Sequence, residues 1–600
     1  MAIKKNPEQD ELKKILNYFH EGNIEMVIKT GVPLFKKYPK SDTLSQILTE
    51  TYNAIGSNLY LQNKYGEAIE AFYKALEFKS DYASPYNNLG IIFEKQDNNK
   101  KSEKSFLKAL ELNPKSADCY RNLGNLYAKQ KKIKESINSY KNAEKFSLNQ
   151  ELFIEKLHQQ AFICDWTAFK EFSINRDRID NQKTPSLPFP FLAFEDNPAK
   201  QLLRSKKYAH YKFNSNQINT PKKSNRNNKK LRLGYFSADF HNHATMYLIA
   251  KLIDIHDRSK FEIYIYSFGP NHDDEMRRRL INSSDNFKDI RELSDESIHN
   301  LVKNDEIDIV IDLKGYTMFS RPIIFSNRLA PIQISYLGYP GSMGAEFIDY
   351  IIADKTVIPK THQKYYSEKI LYLPNSYQVN DNTRNISKAI IKRKDFNLPE
   401  TAFIFCCFNN TFKISSREFT IWMRLLKKID NSILWLLKSN DAAENNLKNQ
   451  AEIYSIDKNR IIFASILPQE EHLARLRLAD LFLDTFNYNA HTTCSDALWA
   501  GLPVVTKIGN QFSARVSASL LNAIGVPELI TESEEEYEIL AENLAINKNK
   551  LKEIKKILLK NQSEFPLFNT ELFTKHIEEA YTQAYQLFLE KKSPATIYVK

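Results

Sequence analysis

The sequence predicts an α-helical solenoid followed by two parallel-sheet α/β domains. Three observations predict it. An apolar motif recurs at fixed spacing through the first 150 residues. Two consecutive runs then alternate short apolar strands with helical segments. Finally, one stretch, Asp484–Val505, reads as strand, polar turn, helix and strand, around which the second run is organised.

Size and composition agree with several domains. The chain has 600 residues, 42% of them hydrophobic, enough for about three or four domains. No run approaches the roughly 18–20 apolar residues of a membrane span, and the N-terminus, MAIKKNPEQDELKK, lacks a signal-peptide segment. Five cysteines without a CxxC spacing fit a reducing, cytoplasmic setting. The net charge of +11 is carried by lysines spread along the chain, which reads as a solvated surface. No basic–aromatic module points to nucleic acid.

In the first 150 residues, Tyr52, Tyr86 and Tyr120 recur at a spacing of 34. Ile55-Gly56, Leu89-Gly90 and Leu123-Gly124 follow in phase, as do Ala68, Ser102 and Ser136, and then Phe72, Phe106 and Tyr140. That period resembles tetratricopeptide repeats, helix pairs whose small residues let two helices cross closely. Residues 8–40 read as a degenerate first unit. Residues 151–230 form a helical connector that ends in a polar, basic loop over 214–230.

Beyond it, LRLGYF (231–236), FEIYIYSF (261–268), IDIVIDL (307–313), IQISYLGY (332–339) and DYIIAD (349–354) read as strands. A polar stretch (376–395) intervenes. AFIFCCF (402–408), SILWLLK (432–438), RIIFAS (460–465), LFLDT (481–485) and PVVTKI (503–508) follow. These runs predict two Rossmann-like domains, 231–385 and 386–600, the second ending in a long helix. Ligands of such sheets sit beyond the carboxyl ends of the strands. SADFHNHAT, KGYT, GYPGSMG, FNNTFK and NAHTT fall there.

The chemistry of these clusters points to an anion. In Asp484–Val505 a helix from Cys494 to Ala500 is expected, capped by Thr493 with Asp496 three residues on. The N–H groups of its first turn make an anion site. Asn410 and Lys413 follow a buried strand and add a donor and a point charge. GxGxxG, P-loop, HExxH and Asp-x-Asp patterns are missing from the sequence. His241-Asn242-His243 lacks a third metal ligand close in sequence.

On CDW, LRLGYFSADFHNHAT, DLKGYT, RLAPIQISYLGYPGSMGAEFIDYIIAD, CCFNNTFKI, NRIIFASILPQEEH, HTTCSDALWAGLPVV and FSARVSASLL, the region from about 150 to 590 resembles glycosyltransferase family 41, the O-GlcNAc transferase and SPINDLY family. The resemblance implies a GT-B fold: two Rossmann-like domains facing a cleft. It also implies inverting, metal-independent transfer of a sugar, without a cofactor, from a nucleotide donor to Ser or Thr of proteins. Residue by residue, it implies Lys413 and Asn410 at the donor diphosphate, with Thr492 and Thr493 offering N–H and hydroxyl groups. His491 then lies near the sugar, and Leu337 and Gly338 line its pocket. His472 stacks on the base with Arg475 beside it, and Asp496 reaches the ribose. Gln469 stands where O-GlcNAc transferases carry a ribose-contacting lysine. His243 faces sugar and acceptor and is a candidate general base, with a donor phosphate oxygen as the other proton acceptor.

Three readings remain open at this level. The first is transfer of GlcNAc from UDP-GlcNAc; HTT, SARVSASLL and ILWLLK lean toward it. The second uses another donor, such as GDP-fucose or another UDP-hexose. The third is a non-catalytic repeat scaffold. A protein or peptide acceptor is expected in the repeat groove, where Asn88, Asn122 and Asn125 can pair with its backbone.

Overall fold

A computed structural model of the chain describes residues 6–147, 150–213 and 230–600. It divides into two compact units, Met1–Gln159 and Gln160–Lys600. The predicted loop 214–230 lies outside the described residues, apart from Lys230.

The first unit is built of helix pairs: Gln9–His20 with Ile24–Lys37, Asp42–Leu61 with Tyr65–Phe78, Ala83–Lys95 with Asn99–Leu112, and Ala117–Lys129 with Ile133–Phe146. Each in-phase glycine lies against the aromatic ring of its partner helix. A Cβ on Gly90 would stand 2.5 Å from Phe106, so the helices cross where no side chain intervenes. Ser102 and Ser136 donate from Oγ to the carbonyls of Gly90 and Gly124, both at 2.8 Å. The small residues of the motif thus fix the crossing twice, by size and by a hydrogen bond. Asn63, Asp97 and Lys131 turn the chain between helices in the left-handed conformation, with φ of 58°, 56° and 60°.

The second unit holds two sheets, both parallel throughout. The strands are β1 (Leu231–Ser237), β2 (Phe261–Ser267), β3 (Asn286–Asp289), β4 (Ile309–Asp312), β5 (Ile332–Ser335), β6 (Tyr350–Ala353), β7 (Lys369–Tyr372), β8 (Phe403–Cys407), β9 (Ser432–Leu437), β10 (Ile461–Ala464), β11 (Leu481–Leu483), β12 (Val504–Lys507), β13 (Ile530–Thr531) and β14 (Ile597–Tyr598). The first sheet runs β14-β7-β6-β5-β4-β1-β2-β3 and the second β10-β9-β8-β11-β12-β13. In each, the chain starts in the middle, builds to one side, and returns to build to the other. The reversal falls between β1 and β4 in the first sheet and between β8 and β11 in the second. Central strands such as β4 and β9 are buried along nearly their whole length, as sheets covered on both faces require. The ten predicted strands are all present. β3, β7, β13 and β14 were not predicted; all four lie toward sheet edges, and β13 and β14 have two residues each.

Two segments tie the sheets together. From Gln160 onward the connector belongs to this unit and packs on both domains. Trp166 Nε1 donates to the Ile414 carbonyl at 2.9 Å, Gln201 Nε2 to Tyr339 OH at 3.0 Å, and Asp196 accepts the N–H groups of Asn510 and Gln511. The final helix, Thr570–Leu589, follows the second sheet but packs on the first. Its Glu578 accepts from His256 Nδ1 at 2.8 Å, and Tyr585 donates to Asp308 at 2.9 Å. β14 then pairs with β7.

Candidate active site

The carboxyl ends of β8 and β11 meet at the reversal of the second sheet. β8 ends in Phe408, Asn409 and Asn410, and a 3-10 turn, Thr411–Lys413, carries the lysine. The connector holds this turn: Thr411 Oγ1 donates to the Phe162 carbonyl at 2.7 Å, beside the Trp166 bond to Ile414. Lys413 Nζ donates to the Asn489 carbonyl at 3.0 Å and stands 3.9 Å from the centre of the Tyr488 ring. Desolvation lowers the Lys413 pKa to about 8, against the opposing pull of the Asp484 carboxylate. Asn410 is exposed at the start of the turn.

Asp484, which sequence reasoning did not single out, follows β11 and accepts from Asn409 Nδ2 at 3.3 Å. It is fully buried and accepts from the N–H of Thr485 and of Ala490 and from Thr506 Oγ1. Burial raises its pKa to about 6. The signal was an aspartate ending a buried strand at the sheet reversal.

The helix that follows is Thr492–Trp499, two residues earlier than predicted. Its N-cap is His491, whose side chain makes no cap bond. The expected capping box is therefore wrong. Thr493 lies inside the first turn, and its Oγ1 donates to buried Asn409 Oδ1 at 2.5 Å. Asp496 is spent elsewhere: it accepts from Arg384 and, at 3.2 Å, from Gln469 Nε2. The first intrahelical bond runs from Ser495 N to the His491 carbonyl. The N–H groups of Thr492, Thr493 and Cys494 precede it, as the anion-site argument needs. His491 Nε2 donates to the Ser513 carbonyl at 3.1 Å, which leaves Nδ1 as the acceptor. Desolvation and then Lys413 lower its pKa, so the ring is neutral. At the other end Leu502 N and Gly501 N bond back to Ala497 and Leu498, with Gly501 at φ +81°, a Schellman close.

The helix Gln469–Leu476 carries the other residues expected at the donor, Gln469, His472 and Arg475. His472 is partly buried, 5.6 Å from the Phe408 ring centre, and its Nδ1 accepts from Arg475 Nε at 3.1 Å. Desolvation lowers the His472 pKa to about 4. Arg475 is 1% exposed and bonds the Ser465 carbonyl as well. It positions His472. Arg384, in the polar stretch between the domains, was missed; nothing in a charged linker marks the one arginine that turns inward.

At the reversal of the first sheet, β1 leads to Asp239 and His243, and β4 to Lys314. His243 caps the helix Ala244–Ile255 by accepting Thr245 N on Nδ1 at 3.2 Å. In this arrangement the neutral ring carries its proton on Nε2. Asp239 Oδ2 stands 3.6 Å from Nδ1 and can accept a proton there in the other tautomer. A buried ion pair fixes Asp239: Lys314 Nζ lies 2.8 and 2.7 Å from its two oxygens. Desolvation lowers the His243 pKa; Asp239 opposes this and Lys314 adds to it. His272 stands 4.6 Å from His241, yet among the described residues no three His, Cys, Asp or Glu are placed to hold a metal. Leu337, after β5, has φ +69°, a costly conformation for leucine. Gly338 follows where a Cβ would lie 2.1 Å from the Leu313 carbonyl oxygen.

The two domains contact each other directly. Ser519 Oγ donates to Asp354 at 2.6 Å, Arg515 Nε to the Thr356 carbonyl at 2.7 Å, and Tyr377 packs edge-on against Phe512. Burial first, and then the carboxylates of Asp274, Glu275 and Asp496, raise the pKa of Tyr247, one turn beyond His243.

The glycosyl transferase family 41 model matches residues 163–391 and 382–577. This chain belongs to glycosyl transferase family 41. Tetratricopeptide-repeat models match residues 56–97, 83–116 and 105–138. Among curated relatives, this family 41 chain is similar to the probable UDP-N-acetylglucosamine–peptide N-acetylglucosaminyltransferase SEC of Arabidopsis thaliana. The two are 35% identical over 460 residues, 73% of this chain and 47% of the relative. The corresponding Caenorhabditis elegans transferase is 26% identical over 553 residues, 71% of this chain and 48% of the relative. A probable transferase named SPINDLY from Hordeum vulgare is 29% identical over 377 residues, 61% and 39% of the two chains. The chain thus spans about half the length, or less, of the curated relatives it matches. A solved mutant of the Thermobaculum terrenum O-GlcNAc transferase shares the fold, with a TM-score of 0.66 at 22% identity over 90% of this chain and 98% of that one.

In the repeats, two of the predicted asparagines bond to asparagines of the preceding unit. Asn88 Nδ2 donates to Asn53 Oδ1 and Asn122 Nδ2 to Asn87 Oδ1, both at 3.0 Å. Asn125 accepts from Tyr140 OH at 2.6 Å. Asn53 and Asn87 form a second row, one residue ahead of the first, that the sequence reading passed over.

Proposed function

We propose that this chain transfers a sugar, GlcNAc from UDP-GlcNAc, to Ser or Thr hydroxyls of proteins. One observation carries the reading: Lys413 and the first turn of Thr492–Trp499 lie together at the reversal of the second sheet, an arrangement suited to a diphosphate. The N-acetylglucosaminyltransferase names of the curated relatives support the donor and the class of acceptor. Lys413 and the N–H groups supply preorganised positive potential for the departing diphosphate. On this reading no cofactor or divalent metal is used. His472, neutral and held by Arg475, offers a ring for the base, and Asp496 with Gln469 flanks the ribose. Leu337, Gly338 and His491 bound the sugar.

The acceptor proton needs a destination. His243 takes it on Nε2 once the ring adopts the Nδ1–H tautomer directed at Asp239, whose carboxylate Lys314 holds in place. The asparagine rows of the repeats present the acceptor chain, and buried free thiols at all five cysteines suit a cytoplasmic setting. The experiment is turnover of a panel of nucleotide sugars with a protein acceptor. Preferred turnover of UDP-GlcNAc is expected. Preference for GDP-fucose would replace the donor, and turnover of none would overturn the enzyme reading.

A further inference from the structure

The repeats carry a second groove, away from the asparagine rows. It has a volume of about 830 Å³ and lies among the helices Tyr65–Phe78, Ala83–Lys95 and Asn99–Leu112. Tyr73 and Leu107, each 49% exposed, and Phe93 make its apolar wall. Lys100, Lys101 and Lys104 make its rim, and all three are exposed. On the helix Ala83–Lys95, Leu89 and Phe93 face this groove; Asn88 points roughly 100° or more away, at 3.6 residues per turn. The two surfaces are therefore different.

The charge of the rim is uncompensated. Glu103 is held by Tyr127 OH at 2.9 Å and Lys132 at 3.2 Å. Glu111 is paired with Lys108 at 2.8 Å. Among the described residues neither Lys100 nor Lys104 is ion-paired. Nor is this charge a feature of the repeat: the same three phases hold Gly66, Glu67 and Glu70 one unit earlier and Lys134, Glu135 and Asn138 one unit later. Likewise Tyr73 and Leu107 share a phase that Lys141 occupies next. The cationic rim and Leu107 belong to one unit, and Tyr73 comes from the unit before it.

We propose that this groove docks an acidic peptide segment that inserts one large apolar side chain between Tyr73 and Leu107. An apolar anchor in a pocket provides the affinity, and complementary charge provides specificity and rate. The proposal is independent of the transferase reading. The test is fluorescence anisotropy of the full chain with a labelled, short Asp/Glu-rich peptide carrying one central Phe. Saturable binding that weakens as salt rises is expected. Changing the peptide's Phe to Ser, or Tyr73→Ser in the protein, should weaken binding about tenfold or more. The surface pair Lys100→Glu with Lys104→Glu should do the same with an unchanged melting curve. Equal binding of the Phe and Ser peptides, or displacement by heparin with no dependence on the Phe, would reduce the rim to a non-specific cation surface and overturn the proposal. So would wild-type binding by the lysine pair variant. Loss of binding in Asn88→Ala with Asn122→Ala would place the peptide in the other groove and equally overturn it.

Discussion

Lys413 titrates where the proposed reaction works. Its pKa is lowered to about 8 by desolvation, so above that pH the ligand-free protein loses its main cation at the donor site. A bound diphosphate favours the charged form and raises the pKa again. kcat/KM should therefore fall as pH rises through about 8, while kcat at saturating donor holds to higher pH. His243 sets the other limb. Its pKa is lowered from the ordinary histidine value, so the ring is neutral at pH 7 and activity should fall only below roughly pH 6.5. An alkaline limb unchanged in Lys413→Arg would remove the lysine from that role. For the base, His472→Ala should raise donor KM more than it lowers kcat, because stacking is felt alike in ground and transition states. Steady-state kinetics at several donor concentrations separate the two. An unchanged KM takes His472 out of the site.

At the scale of elements, the helix crossings of the repeats are set by glycine. Gly90→Ala would gain about 1 kcal/mol of helix propensity. Its Cβ, however, would stand 2.5 Å from the fully buried Phe106 ring, and overpacking of that kind costs about 1–3 kcal/mol or more. The loss should win, and the repeats should melt earlier by calorimetry; an unchanged or raised Tm would show that the crossing can open. This crossing was readable beforehand because its cause is local and periodic: a glycine and an aromatic at fixed phase. The central strands were readable for a similar reason, since a strand buried on both faces is a continuous apolar run. β3, Asn-Phe-Lys-Asp, was not, because an edge strand answers to pairing rather than to hydrophobicity. The site was legible as a set of residue types at strand ends. Their partners were not. Arg384 reaches Asp496 across 112 positions, and Asn409 reaches Thr493 across 84, so the true cap at His491 was hidden behind a plausible box at Thr493.

Over the whole molecule, the chain crosses between its two sheets twice, once through the stretch that carries Arg384 and once through the final helix. The second crossing is latched by a buried histidine. His256 donates from Nδ1 to Glu578 and accepts Tyr235 OH on Nε2, both at 2.8 Å, and Glu578 also takes the N–H of Asp257. Glu578→Ala leaves two donors without that acceptor, at a cost of about 1–3 kcal/mol. Hydrogen exchange should quicken in the helix Thr570–Leu589 and in β14; protection equal to wild type would mean the latch is redundant. The account of function depends on what the reversal of the second sheet holds. The most direct measurement is single-turnover transfer from UDP-GlcNAc by wild-type and Lys413→Met protein, each with EDTA and with added Mg²⁺ or Mn²⁺. The account predicts that wild type is indifferent to EDTA. It also predicts that Lys413→Met keeps its melting temperature and loses about 10²–10³ in rate, with or without metal. Retention of more than about a tenth of the wild-type rate, too small a loss for such a group, or restoration of activity by metal, would contradict it.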